Sequence, residues 1–184
     1  MSDFTEQAIM EAFVELLEEK PFNKITVKDI VGRCGINRNT FYYHYQDIYD
    51  LLEKVIRYYL EASNIKNLSR ENWKETTDTI VQFVGSHKHA MAHVFDFIGA
   101  KELCHYFREV SWQAIEHYME PVFTTLNAPE EDREFFLRLM SNSVVGTIME
   151  WAEHDFNKAF ADRVIERLAY WLTGSLNMID YWRN

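Results

Sequence analysis

The sequence predicts an all-α chain of about nine helices. Three observations carry that reading. Apolar residues recur at i, i+3 and i+4 along nearly the whole length. Gly and Pro are scarce, 6 and 3 among 184 residues, which is unlike a turn-rich β fold or a disordered chain. Helix start and stop chemistry also recurs at the right offsets. Hydrophobic residues make up 47%, enough for a substantial core.

The first helix is expected from Thr5 to Lys20, with Ala8, Ile9, Ala12, Phe13, Leu16 and Leu17 on one stripe. Pro21 ends it, because proline cannot continue a helix. Thr26 opens the second helix and Asp29 completes a Thr-x-x-Asp cap. Ile30, Val31 and Cys34 face inward, Gly35 supplies a left-handed stop, and Ile36 packs beneath the turn. Asn37 caps a third helix that runs to His44 or Tyr45. Asp47 caps a fourth, carrying Leu51, Leu52, Val55, Ile56, Tyr59 and Leu60. The stretch SNIKNLSREN is a junction. Helices follow from Arg70 to Gly85, His87 to Ile98, Lys101 to Thr124, Pro129 to His154 and Lys158 to Tyr181. The last two carry apolar residues on more than one face, so each is buried on more than one side, centrally or against a second subunit.

No apolar run approaches the roughly 18 residues of a membrane span. The N-terminus lacks a basic region followed by an apolar one, and Cys34 and Cys104 sit singly in helical patterns. A reduced, cytoplasmic protein is therefore expected, without a disulfide framework or membrane partner. The net charge is −10. Residues 1–60 hold 7 Lys and Arg against 10 Asp and Glu, and the remainder 12 against 19, so neither part is basic. Any polyanion binding must come from local placement of cations and helix ends.

The second and third helices are joined by a turn too short for anything but a sharp corner. That is a helix-turn-helix, with the first helix as third leg. GINRNTFYYHYQDIYDLL, residues 35–52, combines too many polar tips for core with too many rings for plain surface.

These residues resemble the tetracycline-repressor (TetR/AcrR) family of bacterial regulators. The match is carried by Thr26, Asp29-Ile30-Val31, Gly35, Thr40-Phe41-Tyr42-Tyr43-His44-Tyr45 and Leu51-Leu52, with Phe13, Leu16 and Phe22 in support. It covers about a quarter of the chain. Arg38 and Asn39 stand where the family often has small residues, and Gln46-Asp47-Ile48 where it usually has a lysine. The resemblance implies a homodimeric repressor. Its helix-turn-helix DNA-binding part would be residues 1–46, and its ligand-binding and dimerisation part residues 47–184, with the fourth helix as connector. A small-molecule effector would shift the spacing of the two DNA heads.

On this reading Arg38, Asn39 and Thr40, in the first turn of the recognition helix, reach base edges. Tyr42, Tyr43 and His44 bond phosphates, and Thr26 and Lys28 offer a helix start and a charge, with Lys24 beside them. The alternatives are polar surface for the first set and packing against neighbouring helices for the rings. Trp73, Phe83, His93, Phe97, Tyr106, Trp112 and Tyr118 are candidates to line an effector cavity, though aromatic stripes are commonly core. Phe136, Met140, Val144, Ile148 and Trp151, with Val164, Leu168, Trp171, Leu172 and Leu176, are candidates for the dimer interface. His87, His89 and His93 form H-x-H-x3-H, a metal-pair spacing without a completing Cys or acidic cluster, so polar helix surface or pocket lining is the stronger alternative. No catalytic signature stands out, so neither an enzyme nor a cofactor is expected. The alternatives to a DNA-reading repressor are an adaptor without operator affinity and a metal-responsive regulator using those histidines.

Overall fold

The computed structural model describes residues 2–168, which contain helices and no strand. The helices are α1 (Ser2–Glu19), α2 (Val27–Cys34), α3 (Arg38–His44), α4 (Ile48–Ala62), α5 (Trp73–Ser86), α6 (Lys88–Ile98), α7 (Ala100–Leu126) and α8 (Glu130–Glu153). A ninth, α9, covers 158–168. Short 3-10 turns lie at Phe22–Lys24 and Ile65–Asn67. Among the described residues no helix is long and apolar enough to cross a membrane.

Local chemistry sets the ends of the first four helices. Thr26 and Asp29 form a reciprocal capping box at α2, and Gly35 closes that helix at φ 71°, where a side chain would be strained. Asn37 caps α3 and Asp47 caps α4 through their side chains. The fifth helix starts at Trp73 rather than Arg70. Asn72 accepts from the Ser69 N–H and donates to the Asn67 carbonyl, and this ties the residues before Trp73 into a turn.

Helices α1 to α3 close around Phe13, Phe22, Ile30 and Phe41, all fully buried. Leu51, Leu52 and Val55 of α4 and Ala90 and Val94 of α6 belong to the same cluster. A second cluster joins Val81 and Val84 of α5 to Trp151, Phe156 and Ala161. Helix α7 packs along α8, where Phe123 meets Phe136 edge to face at 5.8 Å.

The C-terminal end of α1 and the N-terminal part of α6 complete each other. The Leu17 carbonyl would ordinarily accept from the N–H four residues on, but that residue is Pro21, which has none. His93 Nδ1 lies 2.7 Å from the Leu17 oxygen instead. His87 gives α6 no side-chain cap. The Ala90 N–H, without an intrahelical partner at this helix start, donates to Glu18 Oε1 at 3.1 Å. Glu18→Ala and His93→Ala should each lower unfolding free energy by about 1 kcal/mol in urea titrations. Changes below about 0.3 kcal/mol in both would show that the two ends are held by packing alone.

Candidate nucleic-acid interface and interior cavity

Helix α3 is held from below by Phe41 and Tyr45, both fully buried and 5.6 Å apart between ring centres. Burial pushes the Tyr45 phenol up, with Glu6 and Asp50 adding to the effect. Two anchors one turn apart fix which face looks outward. That face carries Arg38 and Asn39, both exposed, with Tyr42 at 56% and Tyr43 at 82% exposure. Tyr42 rests edge-on against Phe41 and Tyr43 against His44. The packing alternative for Tyr43 therefore fails, since so exposed a ring contributes little to the core. Thr40 and His44 are half-buried. Thr40 donates both its N–H and its hydroxyl to Asn37 Oδ1, so its hydroxyl is already engaged as a donor.

Ion pairs decide which cations are available to an external partner. Arg33 bridges Glu15 and Glu19 and holds the Glu19 carboxyl below its ordinary value. Lys20 pairs with Asp29 at 3.0 Å. Lys54, which the sequence reading did not single out, donates to the His44 carbonyl at 2.9 Å and pairs with Asp50, so it caps the end of α3. Lys24, Lys28 and Arg38 make no ion pair among the described residues. Thr26 corrects the expectation made for it. Its N–H and hydroxyl both donate to Asp29 Oδ2, so a carboxylate already occupies the position proposed for a phosphate. Lys28 is what remains available at that helix start.

A cavity of about 230 Å³ lies where α1, α4, α5, α6 and α7 meet. Phe83 and Tyr106, two of the expected lining residues, wall it. The other five do not. His93 turns to Leu17, and Phe97 stacks on Phe22 at 4.0 Å and meets Tyr49 at 5.7 Å. Trp73 is the first residue of α5, whereas the cavity meets that helix from Thr79 onward. Trp112 and Tyr118 lie further along α7 than its last wall residue, Phe107, and Tyr118 feels the charges of Arg70 and Glu71 at the junction. Tyr59, which the sequence shows only as part of the α4 stripe, and His87, whose cluster reads as polar surface, pocket lining or a metal pair, also wall the cavity.

The described residues do not bring the histidine triplet together as a metal centre. His87 Nδ1 lies 3.0 Å from the Phe83 carbonyl and His93 Nδ1 2.7 Å from that of Leu17. A carbonyl only accepts, so each of these nitrogens carries its proton and donates. His89 is largely exposed and 3.6 Å from Glu18. Among the described residues no group of three or more His, Cys, Asp or Glu is placed to share a metal. The described residues thus lend no support to a metal-responsive regulator.

The interface expectation for α8 also shifts. Trp151 is buried inside the protomer, donating Nε1–H to the Asn157 carbonyl and packing on Phe156. Phe136, Met140, Val144 and Ile148 are half-buried on neighbouring positions of the helix. The uncovered apolar side chains are Phe135 at 68% and Leu139 at 53%, with Leu168 at 43% and Val164 half-buried on α9. Trp171, Leu172 and Leu176 lie outside the described residues.

Residues 9–55 match the family model described as bacterial regulatory proteins, tetR family. Residues 71–174 match a model described as transcriptional regulator C-terminal region. The HTH-type transcriptional regulator YxbF of Bacillus subtilis (strain 168) is 22% identical over 190 residues, covering 95% of this chain and 48% of that protein. The HTH-type transcriptional regulator EthR of Mycobacterium tuberculosis (strain ATCC 25618 / H37Rv) is 31% identical over 96 residues, covering 47% of this chain and 44% of that protein. The chain thus spans about half the length of the curated relatives it matches. Among solved structures, the dihydroxyacetone kinase operon activator DhaS aligns with a TM-score of 0.69 at 17% identity, over 92% of this chain and 96% of that one. That likeness shows the fold.

Asp29 gives the head a pH dependence. The Thr26 hydroxyl, then Lys20 and the Thr26 N–H, hold its carboxyl down to about 2. Its contribution is therefore full above about pH 4, where an unfolded Asp is ionised, and is lost as pH falls through about 2. Asp29→Asn should leave acid unfolding unchanged below about pH 2 and lower stability above about pH 4. Equal separation from the parent at both ends would remove Asp29 as the cause.

Proposed function

The chain belongs to the tetR family of bacterial regulatory proteins, and from that premise we propose that it is a homodimeric, ligand-responsive repressor reading an inverted-repeat operator. The observation that carries the proposal is the outward face of α3, where Arg38, Asn39, Tyr42 and Tyr43 stand exposed over two buried anchors. Arg38 suits a guanine edge and Asn39 an adenine edge. The Tyr42 and Tyr43 phenols suit phosphate oxygens, and so do the free ammonium groups of Lys24 and Lys28. His44, half-buried beside Tyr43, supports that ring. Overall acidity is compatible with this role because, among the described residues, Lys24, Lys28 and Arg38 stand outside ion pairs on the head.

Residues 1–46 act as the DNA head and residues 47–184 as the effector and dimerisation part. Two heads about one DNA turn apart, roughly 34–36 Å, occupy successive major grooves. The effector cavity favours a second spacing, and the ligand acts only through its differential affinity for that state. The apolar side chains left uncovered on α8 and α9 support pairing of two copies through this end of the molecule. Phe135→Asp with Leu139→Asp should turn a dimer into a monomer by light scattering without changing helix content. A monomeric parent chain would end the two-headed mechanism.

Selection from a random duplex pool should enrich an inverted repeat. Arg38→Ala should weaken binding by about 1–3 kcal/mol and relax preference at one base position. Tyr42→Phe should weaken all duplexes by a similar factor. Failure of the parent to enrich any sequence at low or physiological salt would overturn the operator reading and favour an adaptor.

A further inference from the structure

The cavity specifies the chemistry of its occupant. Its volume of about 230 Å³ exceeds the roughly 150 Å³ at which a dry apolar cavity accepts benzene. That leaves room for about ten non-hydrogen atoms. No Asp, Glu, Lys or Arg is among its wall residues. A charged molecule entering it would lose its hydration and find no charged side chain in the walls, although Arg57, Glu53 and Glu61 act on the Tyr106 phenol.

The polar groups in the walls narrow the choice further. The Ser63 hydroxyl donates to the Leu60 carbonyl, Thr79 to that of Glu75, and His87 Nδ1 to that of Phe83. Their donors are committed to backbone. The phenols of Tyr59 and Tyr106 form no hydrogen bond among the described residues, and burial raises both above their ordinary value. The Tyr59 ring lies against Phe83, centres 4.1 Å apart at 31°, which forms a flat wall. We propose that the cavity binds a neutral, ring-bearing, largely apolar molecule of about ten non-hydrogen atoms, whose single hydroxyl or carbonyl group is held by Tyr59 and Tyr106. Leu17 of α1 and Leu52 and Val55 of α4 are at once cavity wall and head core, so the occupant bears directly on the DNA head. The regulatory effect rests on the operator reading proposed above, but binding itself does not.

The test is calorimetry on the full chain without DNA, using 4-propylphenol, propylbenzene, 4-propylbenzoate and 3-phenylpropylamine. The phenol should bind, and the two charged analogues should bind at least about tenfold more weakly. Tyr59→Phe and Tyr106→Phe should each weaken the phenol by about three- to tenfold and leave propylbenzene unchanged. These conservative changes keep the rings, so folding is preserved and checked by circular dichroism. Benzoate or amine binding as tightly as the phenol would overturn the neutral-ligand assignment. Equal effects of the Tyr variants on phenol and propylbenzene would overturn the hydrogen-bonding role. No binding of the phenol or propylbenzene by a chain that still selects an operator would sink this proposal alone. Phenol binding by a chain that selects no DNA would support it and remove only the operator reading.

Discussion

Pro21 leaves the Leu17 carbonyl without its helical partner, and His93 of α6 supplies one from 76 residues further along the chain. Glu18 returns the arrangement by accepting from the Ala90 N–H. Each helix end thus solves the other's unpaired group, and the junction between head and body becomes directional as well as apolar. Around it lie Phe13, Leu17, Ala90 and Val94 in one cluster. The head is therefore not a separate bead on a linker, because its interior is completed by α4 and α6. Relative motion of head and body has to repack this cluster or break the paired ends.

The same arrangement connects the cavity wall to α3. Leu52 and Val55 wall the cavity from α4, and Lys54 on that helix caps the last turn of α3 and lies over the Tyr45 ring. Tyr45 in turn is one of the two anchors that orient the outward face of α3. A displacement of α4 thus passes to α3 through one hydrogen bond and one buried ring. This contiguity is physical, and its use as a switch follows only if two packings of α4 exist.

Helix ends were legible in the sequence because capping chemistry is local. Thr26 with Asp29, Gly35, Asn37 and Asp47 fall within three or four residues of the groups they satisfy. The outward face of α3 was legible for the same reason, since Phe41 and Tyr45 recur at one turn. The cavity was not. A stripe shows that a face is buried and leaves open what it is buried against, which is why Trp151 read as interface and proved to be core. His93 read as pocket lining because its partner, the Leu17 carbonyl, is distant in sequence. Tyr59 was hidden because a wall of a cavity and a wall of a core have the same period.

The ion pairs of the head have a consequence for conditions inside a bacterium. Arg33, Lys20 and Lys54 are occupied within the protein, so Lys24, Lys28 and Arg38 are the head's cations that stand outside such pairs. Counterion release scales with the cations that reach phosphates, and here they are few. On the proposed operator reading, contacts then depend mostly on hydrogen bonds from phenols and an amide, which salt screens weakly. Lys24 and Lys28 on each of two heads would still make affinity fall with a slope of about −3.6 against log salt, a shallow dependence beside that of a strongly basic head.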